Sequence, residues 1–201
     1  MTVSIGRRVQ EAIDYMEKGE FELALTPTAI AIDCTAKAYY GKDKHSGKNY
    51  KSFLQENLKI IQFLGLPGIM LDELILPIEF PEISAEPLKL SDFIYHYIRC
   101  NLIHDTGLTD RVVFHRRVAF GVIDEKLYLS YKLIWGLLGT VIICPVNKGE
   151  NVPEFYWFAM DEFRYFVNDL WGRMDIIERV MKLKMGSNLA LNPEALKPRA
   201  S

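Results

Sequence analysis

The run LIWGLLGTVIICPV, residues 133–146, carries no charged side chain and is closed by Pro145. About 14 residues at a helical rise of ~1.5 Å each cover roughly 20 Å, well short of the ~30 Å hydrocarbon core of a bilayer. A helix that is apolar on every side must still leave water, so this segment is expected as the central helix of a globular core. The remaining segments must then supply the faces that cover it.

Helical periodicity dominates those segments. Ile5, Val9, Ala12, Ile13 and Met16 recur on one face from Ser4 to Lys18, and Gly19 stops the pattern. FELALTPTAIAIDCTAKAYYG, residues 21–41, is rich in small apolar side chains and ends at Gly41, with Pro27 expected to kink or delay the helix. YKSFLQENLKIIQFLG, residues 50–65, reads as one further helix closed by Gly65. Pro67, Pro77, Pro81 and Pro87 then interrupt residues 66–90, which read as a linker with one short helix.

Ser91 and Gly107 frame a helix expected from about Asp92 to His104, with Ser91 as its N-cap. RVVFHRRVAFGVIDEKLYLS, residues 111–130, changes to β-branched and aromatic residues around a turn at Ile123–Lys126, which predicts a small hairpin. FYWFAMDEFRYFVNDLWGRMDIIERVMKLK, residues 155–184, predicts one or two C-terminal helices, and a frayed tail is expected from Gly186. The expected fold is mainly α: a compact helical bundle over residues 1–185 with a small β-hairpin insertion and extra C-terminal helices. A tail follows at 186–201.

Charge narrows the function classes. A net charge of −2 and a pI near 6.1 do not suit a protein coated with positive potential for indiscriminate duplex binding. Cys34, Cys100 and Cys144 are odd in number, far apart and without a C-x-x-C pair, which predicts reduced thiols and no zinc site. The N-terminal residues lack the apolar core and small-residue cleavage site of a signal peptide, so a cytoplasmic location is expected.

Two stretches carry candidate chemistry. GKDKHSGKN, residues 41–49, mimics a phosphate-binding P-loop. It has five residues rather than four between Gly41 and Gly47, Asn49 in place of the magnesium-binding hydroxyl, and a helix where a strand should precede it. What survives is a basic cluster of Lys42, Lys44, His45, Lys48 and Lys51, a solvated loop more often than a ligand site. His115, Arg116 and Arg117 widen that surface or keep the outer face of the hairpin wet.

The other stretch is FIYHYIRCNLIHDTGL, residues 93–108, with Arg99 and His104 five apart. Composition alone yields roughly 0.2 such spacings in a chain of this make-up, so context must decide. A helix C-terminus attracts cations without any chemistry. In a regular α-helix five steps leave the two side chains roughly 140° apart, whereas Tyr97, Asn101 and His104 share one face. Asn101 there is expected to make a structural hydrogen bond, or to orient His104 or contact phosphate, and His96 sits three residues before Arg99.

YIRCNLIHDTGL resembles the R-x4-6-H signature of the HEPN superfamily, and AIAIDCTAKAYYG with YKSFLQENLKII is similar to the early helices of some HEPN-like proteins. The resemblance covers roughly residues 5–147. It implies an all-helical domain that dimerises and cleaves RNA without a metal or cofactor. Arg99 would contact phosphate, His104 would transfer the proton, and Asn101 would stand beside them, with Lys42, Lys44 and Lys48 holding RNA. A guanidinium offers a planar fork to phosphate, and an imidazole titrates near neutrality, so both residue types suit attack by a 2′-hydroxyl. RNA, a second copy of the chain and a restraining antitoxin or regulator are the partners this implies; a membrane is not. Family members commonly carry asparagine, aspartate or histidine directly after the arginine, where this chain has Cys100. That difference carries the alternative of a non-catalytic RNA- or protein-binding or dimerisation module.

Overall fold

The computed structural model describes residues 4–41, 46–66, 68–80, 84, 86–100, 111–116, 120–160 and 163–185. Helix α1 (Ile5–Lys18) opens where the Ser4 hydroxyl oxygen accepts the Arg7 N–H at 3.1 Å. It closes at Gly19, whose φ of 79° suits a residue without Cβ. Its face of Val9, Ala12, Ile13 and Met16 is buried along α2 (Phe21–Tyr40).

Pro27 does not delay α2, which starts six residues before it. The missing N–H strands the carbonyl one turn earlier, at Leu23, and that residue is 53% exposed, so water can take its place. The single helix expected over 50–65 is two, α3 (Ser46–Glu56) and α4 (Leu58–Gly65). The break falls at Asn57, whose side-chain amide donates to the Phe53 carbonyl at 2.9 Å and competes with the backbone ladder.

Between α4 and the next helix, Leu76 N donates to the Leu88 carbonyl and Leu90 N to the Leu74 carbonyl, each at 2.8 Å. The chain thus returns on itself rather than running as an open linker. Helix α5 (Leu90–Phe93) continues as a π-helix over Ile94–Cys100. Lys89 rather than Ser91 stands at its N-cap, and Ser91 lies inside the first turn.

The apolar run becomes α6 (Lys132–Ile143), where every residue from Gly136 to Ile143 is buried. Gly65 and Gly136 let α4 lie directly against it: a Cβ at 136 would stand 2.5 Å from the Ile61 carbonyl oxygen. A 3-10 turn, Pro145–Asn147, follows. In it the Asn147 amide donates to Thr35 Oγ1 at 2.9 Å and to the Val141 carbonyl at 2.7 Å, which ties the end of α6 to α2.

The expected hairpin is present as β2 (Phe120–Ile123) and β3 (Lys126–Ser130), turned by Asp124 and Glu125 at φ 48° and 59°. A third strand, β1 (Val112–His115), pairs parallel to β3, giving the order β1-β3-β2. Arg116 after β1 sets its guanidinium 5.4 Å from the Phe21 ring centroid, at the turn between α1 and α2. Arg117 lies outside the described residues.

The aromatic stretch expected as helix is a second hairpin, β4 (Trp157–Met160) and β5 (Phe163–Phe166). Phe158 and Met160 are buried while Trp157 and Ala159 face out, a period of two. The apolar outer positions Trp157 and Phe166 hide that alternation in the sequence. One helix, α7 (Met174–Met185), follows, where one or two were expected. The fold is therefore mainly helical with two small sheets. Among the described residues no helix is long and apolar enough to cross a membrane. Cys34 and Cys144 are free thiols, and burial pushes Cys144 up to about 11. The tail at 186–201 lies outside the described residues.

Candidate functional site

Arg99 projects from the π-helical end of the α5 segment into the junction with α2 and α3. Phe93, Ile94, Tyr97 and Ile98 anchor that segment in the core. Tyr97 is fully buried and stacked on Phe93 with ring centroids 5.2 Å apart, so it packs in the core. Because the winding through Cys100 is π rather than α, the 3.6-residue face drawn through Tyr97, Asn101 and His104 does not apply to its first turn.

The Arg99 side chain is 17% exposed, and its Nη2 lies 3.2 Å from Asp33 Oδ1 on α2. The guanidinium carbon stands 5.3 Å from the Tyr95 ring centroid and 5.8 Å from that of Tyr50 on α3, two cation–π contacts. Asp33 uses its other oxygen, Oδ2, for Lys37 Nζ at 2.5 Å, one turn along α2. One carboxylate thus bridges two cations at the edge of the junction.

A second ion pair lies beside the first. Lys51 Nζ, 2.9 Å from Asp92 Oδ1, also sits 5.6 Å from the Tyr95 ring centroid. A Cβ at Gly47 would stand 2.4 Å from the Tyr95 hydroxyl, so the start of α3 closes directly over that ring. His96 meets Tyr95 edge to face at 4.9 Å. Its pKa is lowered by burial first and by Lys51 second, with Asp92 opposing, which favours a neutral imidazole.

Of the residues singled out in the sequence, the structure brings Arg99, His96 and Lys51 to this junction. Lys48 is exposed on α3, one turn before Lys51. Lys42, Lys44, Asn101 and His104 lie outside the described residues. Sequence reasoning missed Asp33, Tyr50, Tyr95 and Asp92. The i, i+4 pair of Asp33 and Lys37 was readable, but nothing in the sequence joins Asp33 to an arginine 66 residues away.

Lys37, Lys51 and Arg99 share the two carboxylates Asp33 and Asp92 here, which makes the junction suited to an anion that competes with those carboxylates. Among the described residues no three of His, Cys, Asp and Glu gather closely enough to hold a metal ion.

These elements define a mainly helical domain whose arginine, at a π-helical end, is held by an aspartate of a neighbouring helix over two tyrosine rings. The chain belongs to the Rv1289 family, whose sequence model matches residues 4–196. The uncharacterized protein Rv1289 of Mycobacterium tuberculosis (strain ATCC 25618 / H37Rv) is 23% identical over 201 residues, covering 96% of this chain and 94% of its own length. The uncharacterized protein Mb1320 of Mycobacterium bovis gives the same figures, 23% identity with 96% and 94% covered. No solved structure matches the chain.

Proposed function

We propose that the chain is a HEPN-like helical domain that cleaves RNA as a dimer without a metal. Arg99 contacts the scissile phosphate and His104 moves the proton, with Asn101 beside it. Lys42, Lys44 and Lys48 hold the RNA backbone. The observation that carries this reading is the seating of Arg99: a planar fork held at a helix end over Tyr50 and Tyr95, with Lys37 and Lys51 beside it on the carboxylates Asp33 and Asp92. In the reaction the 2′-hydroxyl loses its proton to a base and attacks phosphorus. The 5′-oxygen leaves and takes up a proton, giving a 2′,3′-cyclic phosphate and a 5′-hydroxyl end.

The test is cleavage of labelled single-stranded and structured RNAs in EDTA by wild type, Arg99→Ala and His104→Ala, purified identically. Cleavage by wild type alone, with cyclic phosphate ends, is the expected result. Full activity in either folded variant removes that residue from the mechanism.

A second reading rests on a specific contact. Asp33 already occupies the Arg99 fork, and both side chains are largely shielded, at 14% and 17% exposure. That pairing favours a non-catalytic HEPN-like module that binds RNA or protein or dimerises. Filter binding without cleavage, weakened by Lys48→Ala, is the outcome it expects.

A further inference from the structure

Away from the Arg99 junction, α4, the start of α6, the outer face of the β4–β5 hairpin and the end of α7 enclose a cleft of about 880 Å³. It shares no lining residue with that junction. Its size lies within the ~300–1,000 Å³ of small-molecule sites.

The cleft is built rather than accidental. Gln62, fully buried on α4, accepts the Leu71 N–H on Oε1 at 2.8 Å. That bond fixes the segment Gly68–Met70, which forms one wall. The opposite wall is the hairpin face that turns away from the core, Trp157 and Ala159 with Arg164, the last paired across the strands with Ala159. Trp157 is held in place by Phe166, with ring centroids 3.8 Å apart. Trp135 is held edge to face by Phe158 at 5.3 Å.

Two properties select the ligand. The lining is mostly apolar, formed by Phe63, Leu64, Ile69, Met70, Trp135 and Met185, and Gln62 adds a buried amide whose Nε2 has no hydrogen-bond partner among the described residues. The charged lining residues, Lys132, Arg164 and Lys184, are all cations, and all three are exposed. No carboxylate lines the cleft among the described residues; Asp161 and Glu162, which link β4 to β5, lie outside them. A nucleobase or sugar would bring more donors and acceptors than the Gln62 amide and Tyr131 can pair, at a cost that a hydrocarbon body avoids. An anionic group on that body has the exposed cations of the lining to meet.

We infer that the cleft between α4, α6 and the β4–β5 hairpin binds an acyl carboxylate, its chain against Trp135, Met70 and Trp157 and its carboxylate at Lys132 and Arg164. The adaptable side chains of Met70 and Met185 suit a chain rather than a single rigid shape. The site does not depend on any RNA chemistry at Arg99.

The test is calorimetric titration of the full chain with decanoate, below its micelle concentration, and with decan-1-ol, which has the same chain without the charge. Decanoate is expected to bind one to one and at least tenfold more tightly than decan-1-ol. Lys132→Ala/Arg164→Ala, at two exposed positions, should weaken decanoate about tenfold and leave decan-1-ol unchanged. Ala159→Trp, which fills the cleft from an outward-facing position, should abolish binding of both. Absence of saturable decanoate binding to wild type, equal affinity for the alcohol, or binding undiminished in folded Ala159→Trp would each overturn the inference.

Discussion

Asp33 and Arg99 lie 66 residues apart and meet at 3.2 Å, one on the longest helix and the other at the π-helical end of the α5 segment. Lys37 on the second carboxylate oxygen means that Asp33 keeps a cation if Arg99 is removed, whereas removing Asp33 takes the carboxylate at 3.2 Å from Arg99 and leaves Lys37 without it as well. Arg99→Ala should therefore cost about 1–2 kcal/mol, less than the ~3–5 kcal/mol of breaking a fully buried pair. Asp33→Asn should cost at least as much. In urea unfolding, a loss for Arg99→Ala larger than for Asp33→Asn would show that Lys37 does not compensate.

The same pair makes the functional prediction directional. On the proposed reading Asp33 competes with phosphate, so Asp33→Asn should tighten RNA binding by several-fold at low salt, with a steeper salt dependence. Arg99→Lys keeps the charge but not the planar fork and should not restore cleavage. Weaker RNA binding in folded Asp33→Asn would mean that the aspartate positions the arginine and does not compete for it.

His96 supplies a pH dependence with a defined sign. Its folded-state pKa lies below the ordinary value of 6.5 because burial and Lys51 disfavour the cation, against the pull of Asp92. Below 6.5 the unfolded chain takes up the proton first, so stability is full above that pH and falls as acid is added. His96→Gln should flatten the part of the stability profile between pH 7 and 5. A profile identical to wild type there would place the acid sensitivity elsewhere.

At the contact of the hairpin with α1, the Tyr156 hydroxyl donates to Asp14 Oδ1 at 2.5 Å, and burial with that bond raises its pKa to about 12. Tyr156→Phe should cost about 1–2 kcal/mol, since a bond to a charged acceptor is lost at a partly exposed site. The alkaline limb carries the second signature. From pH 10 upward the unfolded tyrosine ionises first, so wild type loses stability through about 12, and the phenylalanine variant should lose less over that range.

How far the fold could be read depended on whether a segment buries one face or two. Ser4, Gly19 and the period of Val9 to Met16 specify α1 locally, and the turn at Asp124–Glu125 specifies its hairpin. The β4–β5 hairpin escaped because Trp157, Ala159 and Phe166 leave Arg164 as the one polar residue of its described outer face, too little alternation to see. The break at Asn57 was visible only as a residue that favours caps, and the parallel pairing of β1 with β3 has no local signal. In the candidate site Arg99 was legible from its motif. Asp33, Tyr50 and Tyr95 reach it through tertiary packing, which spacing in one chain does not encode.

The central helix offers the sharpest test of close packing. On propensity alone Gly136→Ala should stabilise a buried helix by about 1 kcal/mol. The added Cβ, however, would stand 2.5 Å from the Ile61 carbonyl oxygen and 3.1 Å from Gly65 N, both backbone atoms of α4 that cannot rotate away. Moving α4 outward would open contacts along the whole α4–α6 seam, an overpacking cost of about 3 kcal/mol. The net loss of about 2 kcal/mol corresponds to a fall in Tm of roughly 4–8 °C. Gly149→Ala, where a Cβ meets nothing within 4 Å, provides the control and should leave Tm within a degree or two. If thermal unfolding finds Gly136→Ala as stable as wild type, the two helices do not lie at the distance that the glycine pair Gly65 and Gly136 allows.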